Sequence, residues 1–103
     1  MLFHKNKFVL KIRHGRGEAY TTNLRGVISH FIVAPDRDDV IWNLKVLDSD
    51  NDVILQVKDH IGRLDYKEGI VVGKSKEEAL RLLFSEVSYN IPFQIIFIVQ
   101  EKI

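Results

Sequence analysis

A chain of 103 residues, 46% hydrophobic and 28% charged, has room for one modest core, and that composition excludes a disordered tail. A formal charge of +1 builds in no global attraction to nucleic acid or membrane, so neither is an expected partner. With no cysteine, disulfides and thiolate metal sites are excluded, and one domain over residues 1–103 must be held by packing alone.

The N-terminal run MLFHKNKFVLK is interrupted by His4 and Lys5 before an apolar stretch of signal-peptide length develops, and nothing approaches a membrane span. Synthesis in a cytoplasm is therefore the expectation. Over residues 7–14, Phe8, Leu10 and Ile12 alternate with Lys7, Lys11 and Arg13, the period of a strand with one wet face. Gly15 and Gly17 end it. Residues 27–34 form a second apolar run, closed by the turn signal Pro35-Asp36. In the third, residues 40–47, Val40, Trp42, Leu44 and Val46 share one face and Trp42 is the natural core anchor. A fourth strand is expected over 53–58. Short pieces around Leu64 and Ile70-Val71-Val72 follow between glycines, and residues 92–103 close the chain.

Short strands at roughly ten-residue spacing, punctuated by Gly, Pro and Asp/Asn, predict an all-β antiparallel sandwich of about seven to eight strands. One segment reads two ways. Ser75-Lys76-Glu77-Glu78 resembles a helix-capping box, and Ala79, Leu80, Leu83 and Val87 fall at helical spacing. Leu80, Leu82 and Phe84 also alternate as in a strand. The strand is preferred, with a short helix over 75–87 as the alternative.

Few residues advertise chemistry. Asp48, Asp50 and Asp52 alternate in LDSDNDVI, and Asp59 is twelfth from Asp48, as in a calcium loop. The sixth position, however, is Val53 where such loops need Gly, the twelfth is Asp rather than Glu, and both flanks have strand character. A hairpin turn is the better reading. His14-Gly15-Arg16-Gly17 follows a strand, but no helix opens behind it to aim N–H groups at a phosphate. His4, His14, His30 and His60 show no paired metal-ligand spacing. Ser29 and His30 are adjacent on a strand and should point to opposite faces, which forbids a nucleophile–base contact. No catalytic residue, cofactor or metal is expected, and an enzyme is disfavoured.

Apolar residues on both faces of two strands are harder to explain. Phe93, Ile95, Phe97 and Val99 form one face of the last strand, with Ile96 and Ile98 on the other. In the second strand Val27, Phe31 and Val33 oppose Ile28 and Ile32. A two-layer sandwich should leave one face wet. Either residues 75–87 cover the extra face or another subunit does. Ile28, Ile32, Ile96 and Ile98 are accordingly candidate interface residues. Lys7, Lys11 and Arg13 form a cationic stripe that would grip phosphates or, as exposed strand lysines more commonly do, block edge-to-edge aggregation. Charge is also uneven along the chain. Residues 1–25 carry Lys5, Lys7, Lys11, Arg13, Arg16 and Arg25 against Glu18. Residues 36–52 carry Asp36, Asp38, Asp39, Asp48, Asp50 and Asp52 against Arg37 and Lys45. Two opposite patches would steer copies head to tail.

The run Gly15-Arg16-Gly17-Glu18-Ala19-Tyr20-Thr21, then Leu24-Arg25-Gly26-Val27-Ile28, resembles a pattern in small β-sandwich proteins of tailed bacteriophages. Asp48-Ser49-Asp50-Asn51-Asp52-Val53-Ile54 is similar to a hairpin in such chains. Leu80 onwards, with Ser88-Tyr89-Asn90 and Phe93-Gln94-Ile95, looks like their penultimate strand, turn and closing strand. KSKEEAL departs from the pattern by being more helical. The resemblance, over residues 7–101, implies a virion component of the capsid surface or head–tail region. Its partners would be other virion proteins or copies of itself, and no catalytic residues carry over. The contrasting possibility is a carbohydrate-binding β-sandwich module, which would display aromatics on a flat exposed face. Trp42 is expected inside, and Tyr20, Tyr66 and Tyr89 fall in separate segments.

Overall fold

Alternation of β-branched and aromatic residues with polar ones produces strands from end to end in the computed structural model, which describes residues 3–101. The strands are β1 (Phe3–Lys11), β2 (Gly17–Tyr20), β3 (Gly26–Pro35), β4 (Ile41–Leu47), β5 (Val53–Ile61), β6 (Leu64–Tyr66), β7 (Ile70–Val72), β8 (Arg81–Ser85) and β9 (Pro92–Glu101). Pairing is antiparallel throughout and makes two sheets. One has the order β1-β9-β3-β6, with β7 also on β3; the other has the order β2-β8-β4-β5. The sandwich read from the sequence is the fold.

The core lies between the sheets. Phe93, Ile95, Phe97 and Val99 of the first sheet face Trp42, Leu44 and Val46 of the second, all buried, as the alternation predicted. Trp42 joins the layers. Its ring centroid is 5.7 Å from that of Phe84 in its own sheet and 6.0 Å from that of Phe93 in the other, and its Nε1 donates to the Gly62 carbonyl at 2.8 Å. The indole is fully buried with its one donor satisfied, which is the condition for placing a Trp in a core.

Residues 75–87 form no helix among the described residues. Leu80, Leu82 and Phe84 all point into the core, and β8 lies between β2 and β4. A helix would have left β4 without a partner on that side, so the sheet overrides the local preference. Glu78, read as part of a capping box, instead ties loops together. Its carboxylate accepts the Ser49 N–H through Oε1 and the Gly73 N–H through Oε2, both at 2.9 Å, while its backbone pairs with Leu24.

The face assignment in β3 also differs from the alternation. Register shifts between Ile28 and His30, so Ser29 is an extra residue opposite β9. This bulge turns Ile28 inward to join Phe31 and Val33, and leaves Val27 half-exposed. At the start of the strand, Gly26 has φ 141°, and a Cβ there would collide with the Gln100 carbonyl oxygen on β9.

Because Trp42 packs across both layers, its fluorescence emission should be blue-shifted in the native state and red-shift on denaturation. Trp42→Ala should cost about 3–5 kcal/mol, a large share of a small domain's stability. A denaturant midpoint unchanged by that substitution would contradict the packing described.

Candidate functional site

Three sequence features that resemble chemical sites are accounted for by local backbone geometry. In the Asp turn, Asp48 Oδ1 accepts the N–H groups of Asp50 and Asp52, both at 2.9 Å, and Asn51 takes φ 65°. The three carboxylates approach one another, with oxygens within 4.8 Å, because they crowd one exposed turn. Asp59 lies far along β5, about 20 Å of strand rise from Asp52, and its N–H donates to Asn43 Oδ1. At the other loop, His14 and Gly15 have φ 53° and 70° between the bridged pair Arg13 and Arg16, the mirror-image two-residue turn that suits a twisted hairpin. Its backbone is already engaged: the Gly15 N–H donates to Asn90 Oδ1 and the Gly15 carbonyl accepts from Val87.

The third feature corrects an expectation. Ser29 Oγ and His30 Nδ1 are 3.3 Å apart, although neighbours on a regular strand cannot meet. The bulge at Ser29 swings both toward the outer surface, and the Ser29 hydroxyl also lies 3.4 Å from the Ile98 carbonyl oxygen. That second contact pins the bulge to β9.

What remains is a surface: the outer face of the five-stranded sheet. Cross-strand register lays it out in rows. One runs Lys7 on β1, Ile96 on β9, Ile32 on β3 and Asp65 on β6. The next places Lys5, Ile98 and His30 side by side, and a further one Phe3, Gln100, Val27 and Val71. Ile32, Ile96 and Ile98 are half-buried. Val9, Phe3 and Val71 are 56%, 59% and 53% exposed, so apolar surface continues toward both sides of the sheet. No residue of the 75–87 segment covers this face, because that segment lines the core from the opposite sheet. Of the residues expected at an interface, Ile32, Ile96, Ile98, Lys7 and Lys11 do share the face. Arg13 is exposed at the hairpin that follows β1. Ile28 is not on it: the bulge sends that side chain into the core, where it is 1% exposed.

The charge patches separate as well. Asp36, Asp38 and Asp39 precede β4 and Asp48, Asp50 and Asp52 follow it, so a seven-residue strand, about 23 Å of rise, divides the acidic segment into two ends. Asp39 is moreover paired with Arg37 at 2.8 Å. The acidic residues form no single patch for head-to-tail steering. Lys5, Lys7 and Lys11 do remain a column, with no ion-pair partner among the described residues.

The outer face of the four-stranded sheet has a different character. Glu18 accepts from Arg81 Nε at 2.8 Å, and that guanidinium lies 6.0 Å from the Tyr20 ring centroid. Asn43 spans two residues with positive φ, accepting from Asp59 and donating to Glu86, where a bulge interrupts β4–β5 pairing. The tyrosines form no platform: Tyr20 is on β2, Tyr66 is on β6 opposite Phe31 of β3, and Tyr89 sits in a loop under Arg37. No family model matches the chain, nor does any curated protein sequence.

With the Asp turn built on its own backbone bonds, millimolar calcium or a chelator should leave the melting temperature unchanged within about a degree. A saturable rise would instead signal a cation bound to the native state alone.

The hydrogen bond from Arg81 and its charge hold the Glu18 carboxyl below its ordinary value. The sign follows. A carboxylate lowered on folding adds stability above its unfolded pKa and loses it as pH falls through the folded one. Arg81→Met should therefore raise the Glu18 midpoint in a side-chain carboxyl NMR titration and remove its share of acid sensitivity. An unmoved midpoint would mean the pair does not form in solution.

Proposed function

We infer that this chain is a non-enzymatic structural subunit of a tailed-phage virion, at the capsid surface or head–tail region, acting through repeated protein–protein contacts. The observation that carries the assembly half is the outer face of the five-stranded sheet. Ile32, Ile96 and Ile98 stand beside exposed Val9, Phe3 and Val71, and no described segment of the chain lies over them. A sandwich that stood alone would gain by making such positions polar, as at Glu18, Asn43 and Lys45 on its other sheet. The virion half is supported by the resemblance of the 15–28, 48–54 and 80–95 runs to phage sandwich proteins. The engaged backbone of the 13–17 hairpin and of the Asp turn favours an assembly role over catalysis.

Ile96→Asp or Ile98→Asp tests the reading. Fully burying such a side chain at a contact is worth roughly 1.5–3 kcal/mol, so either charge should abolish incorporation into particles, scored by mass spectrometry of purified virions. The far-ultraviolet circular dichroism should stay unchanged. Incorporation at the wild-type level would remove this face from the assembly, and absence of the wild-type chain from particles would remove the virion placement.

A further inference from the structure

The rows across the outer face have a property that a single copy does not use. In the row Lys7, Ile96, Ile32, Asp65 a cation ends one side and an anion the other, with two isoleucines between. In the row Phe3, Gln100, Val27, Val71 both ends are exposed apolar side chains. Consider a two-fold axis lying in the face, parallel to the strands and between β9 and β3. It reverses the order of strands but keeps every row at its own height. Lys7 of one copy then meets Asp65 of the other, Ile96 meets Ile32, and Phe3 meets Val71. Turning the axis across the strands instead stacks β1 on β1 in opposite directions and sets the lysine column of one copy against that of the other, a like-charge contact that opposes association.

We propose that the occupant of this face is a second copy of the chain, seated sheet on sheet about a two-fold axis parallel to the strands. The inference rests on the assembly reading and specifies its partner. Such an interface is isologous, so each complementary pair occurs twice. Packed sheets align within about 30° and sit about 10 Å apart, which suits side chains of these lengths. Four strands at about 4.8 Å spacing and nine residues at about 3.3 Å give a face of about 600 Å² per copy. That is near the lower limit of specific interfaces, so the isolated chain should dimerise weakly and reversibly. Asp65 also carries Arg63 at 3.2 Å, an exposed pair that Lys7 of the other copy would join.

The chain has no cysteine, which allows a geometric test. Phe3 and Val71 lie on strands separated within one copy by β9 and β3, about 14 Å apart, beyond the reach of a disulfide. Phe3→Cys combined with Val71→Cys can therefore close only between copies. Under mild oxidation the double variant should form a covalent dimer at least about fivefold faster than either single variant, a coupling larger than independent sites give. Sedimentation equilibrium from roughly 10 μM to 1 mM, the range suited to a small interface, provides the second arm. Lys7→Glu and Asp65→Lys should each weaken dimerisation about fivefold or more, and the double exchange should restore it to within about twofold. Circular dichroism checks that each variant is folded.

A wild-type chain monomeric across that range, or a double cysteine variant no faster than the single ones, would overturn the proposal. So would a charge exchange that fails to restore what its single substitutions lost. If the isolated chain is monomeric yet Ile96→Asp still blocks incorporation into particles, the face takes a different protein and only the second copy is wrong. If Ile96→Asp incorporates normally as well, the assembly reading fails with it.

Discussion

One additional residue in β3 decides what both sides of the first sheet present. With Ile28 opposite Val99 and His30 opposite Ile98, Ser29 has no partner of its own on β9. Strict alternation from Phe31 and Val33 would place Val27 inside and Ile28 outside. The bulge reverses this, and Ile28 becomes one of the largest fully buried side chains. Burying an isoleucine rather than exposing it is worth roughly 1.5–3 kcal/mol. The same shift sets Val27 beside Gln100 and Val71 on the outer face, extending its apolar surface to the edge of the sheet. The Ser29 hydroxyl then helps to fix the bulge against the Ile98 carbonyl. What looks in sequence like an improbable nucleophile–base pair is the signature of this irregularity.

The period-two pattern was enough to read most of the fold. Val40, Trp42, Leu44 and Val46 occupy one buried face, and so do Phe93, Ile95, Phe97 and Val99, because nothing interrupts the alternation in β4's inner positions or in β9. Three things escaped it. The strand Gly17–Tyr20 was hidden, since four residues with one glycine carry little periodic signal. The first strand already includes Phe3, His4 and Lys5, because polar residues fit an edge, where one face and one side meet solvent. The bulge could not be read, because no residue type marks it; Ser29 and His30 are compatible with either register. Of the interface candidates, Ile96 and Ile98 were legible through β9's unbroken pattern, Ile32 lies beyond the bulge on the side that keeps phase with Phe31, and Ile28 lies on the side that does not. Asp65 and Val71 could not be assigned to the face from sequence at all. Their places depend on β6 and β7 pairing with β3, a long-range choice that three-residue strands do not announce.

The two outer faces express different solutions to the same physical problem. On the four-stranded sheet Glu18 and Arg81 pair across strands and Asn43 satisfies groups on both neighbours, while Ile41 and Ile61 stay exposed opposite one another where β4 begins and β5 ends. On the five-stranded sheet the apolar strip is bordered by Lys5, Lys7 and Lys11 on β1, which form no ion pair among the described residues, and by Asp65 on β6. Those lysines lie on β1, which stands at the end of its sheet and pairs with β9. Charges along such an edge discourage another strand from extending the sheet, the usual route from exposed β structure to aggregation.

Blocking the β1 edge while leaving the face apolar would direct association to that face. An edge contact would be open-ended, since each added copy offers a new edge. A face contact about a two-fold axis closes after two copies, because each then covers the other's five-stranded outer face. A subunit used repeatedly in a larger shell or tube needs at least one further contact of a different kind. In the arrangement proposed here, the surfaces left for it include the two loop ends, where the acidic turns at 36–39 and 48–52 lie on opposite sides. Contacts there would be polar and salt-sensitive, whereas the sheet-on-sheet contact would be carried by isoleucine burial and oriented by charge. In that arrangement the two classes of contact would respond independently to solution conditions.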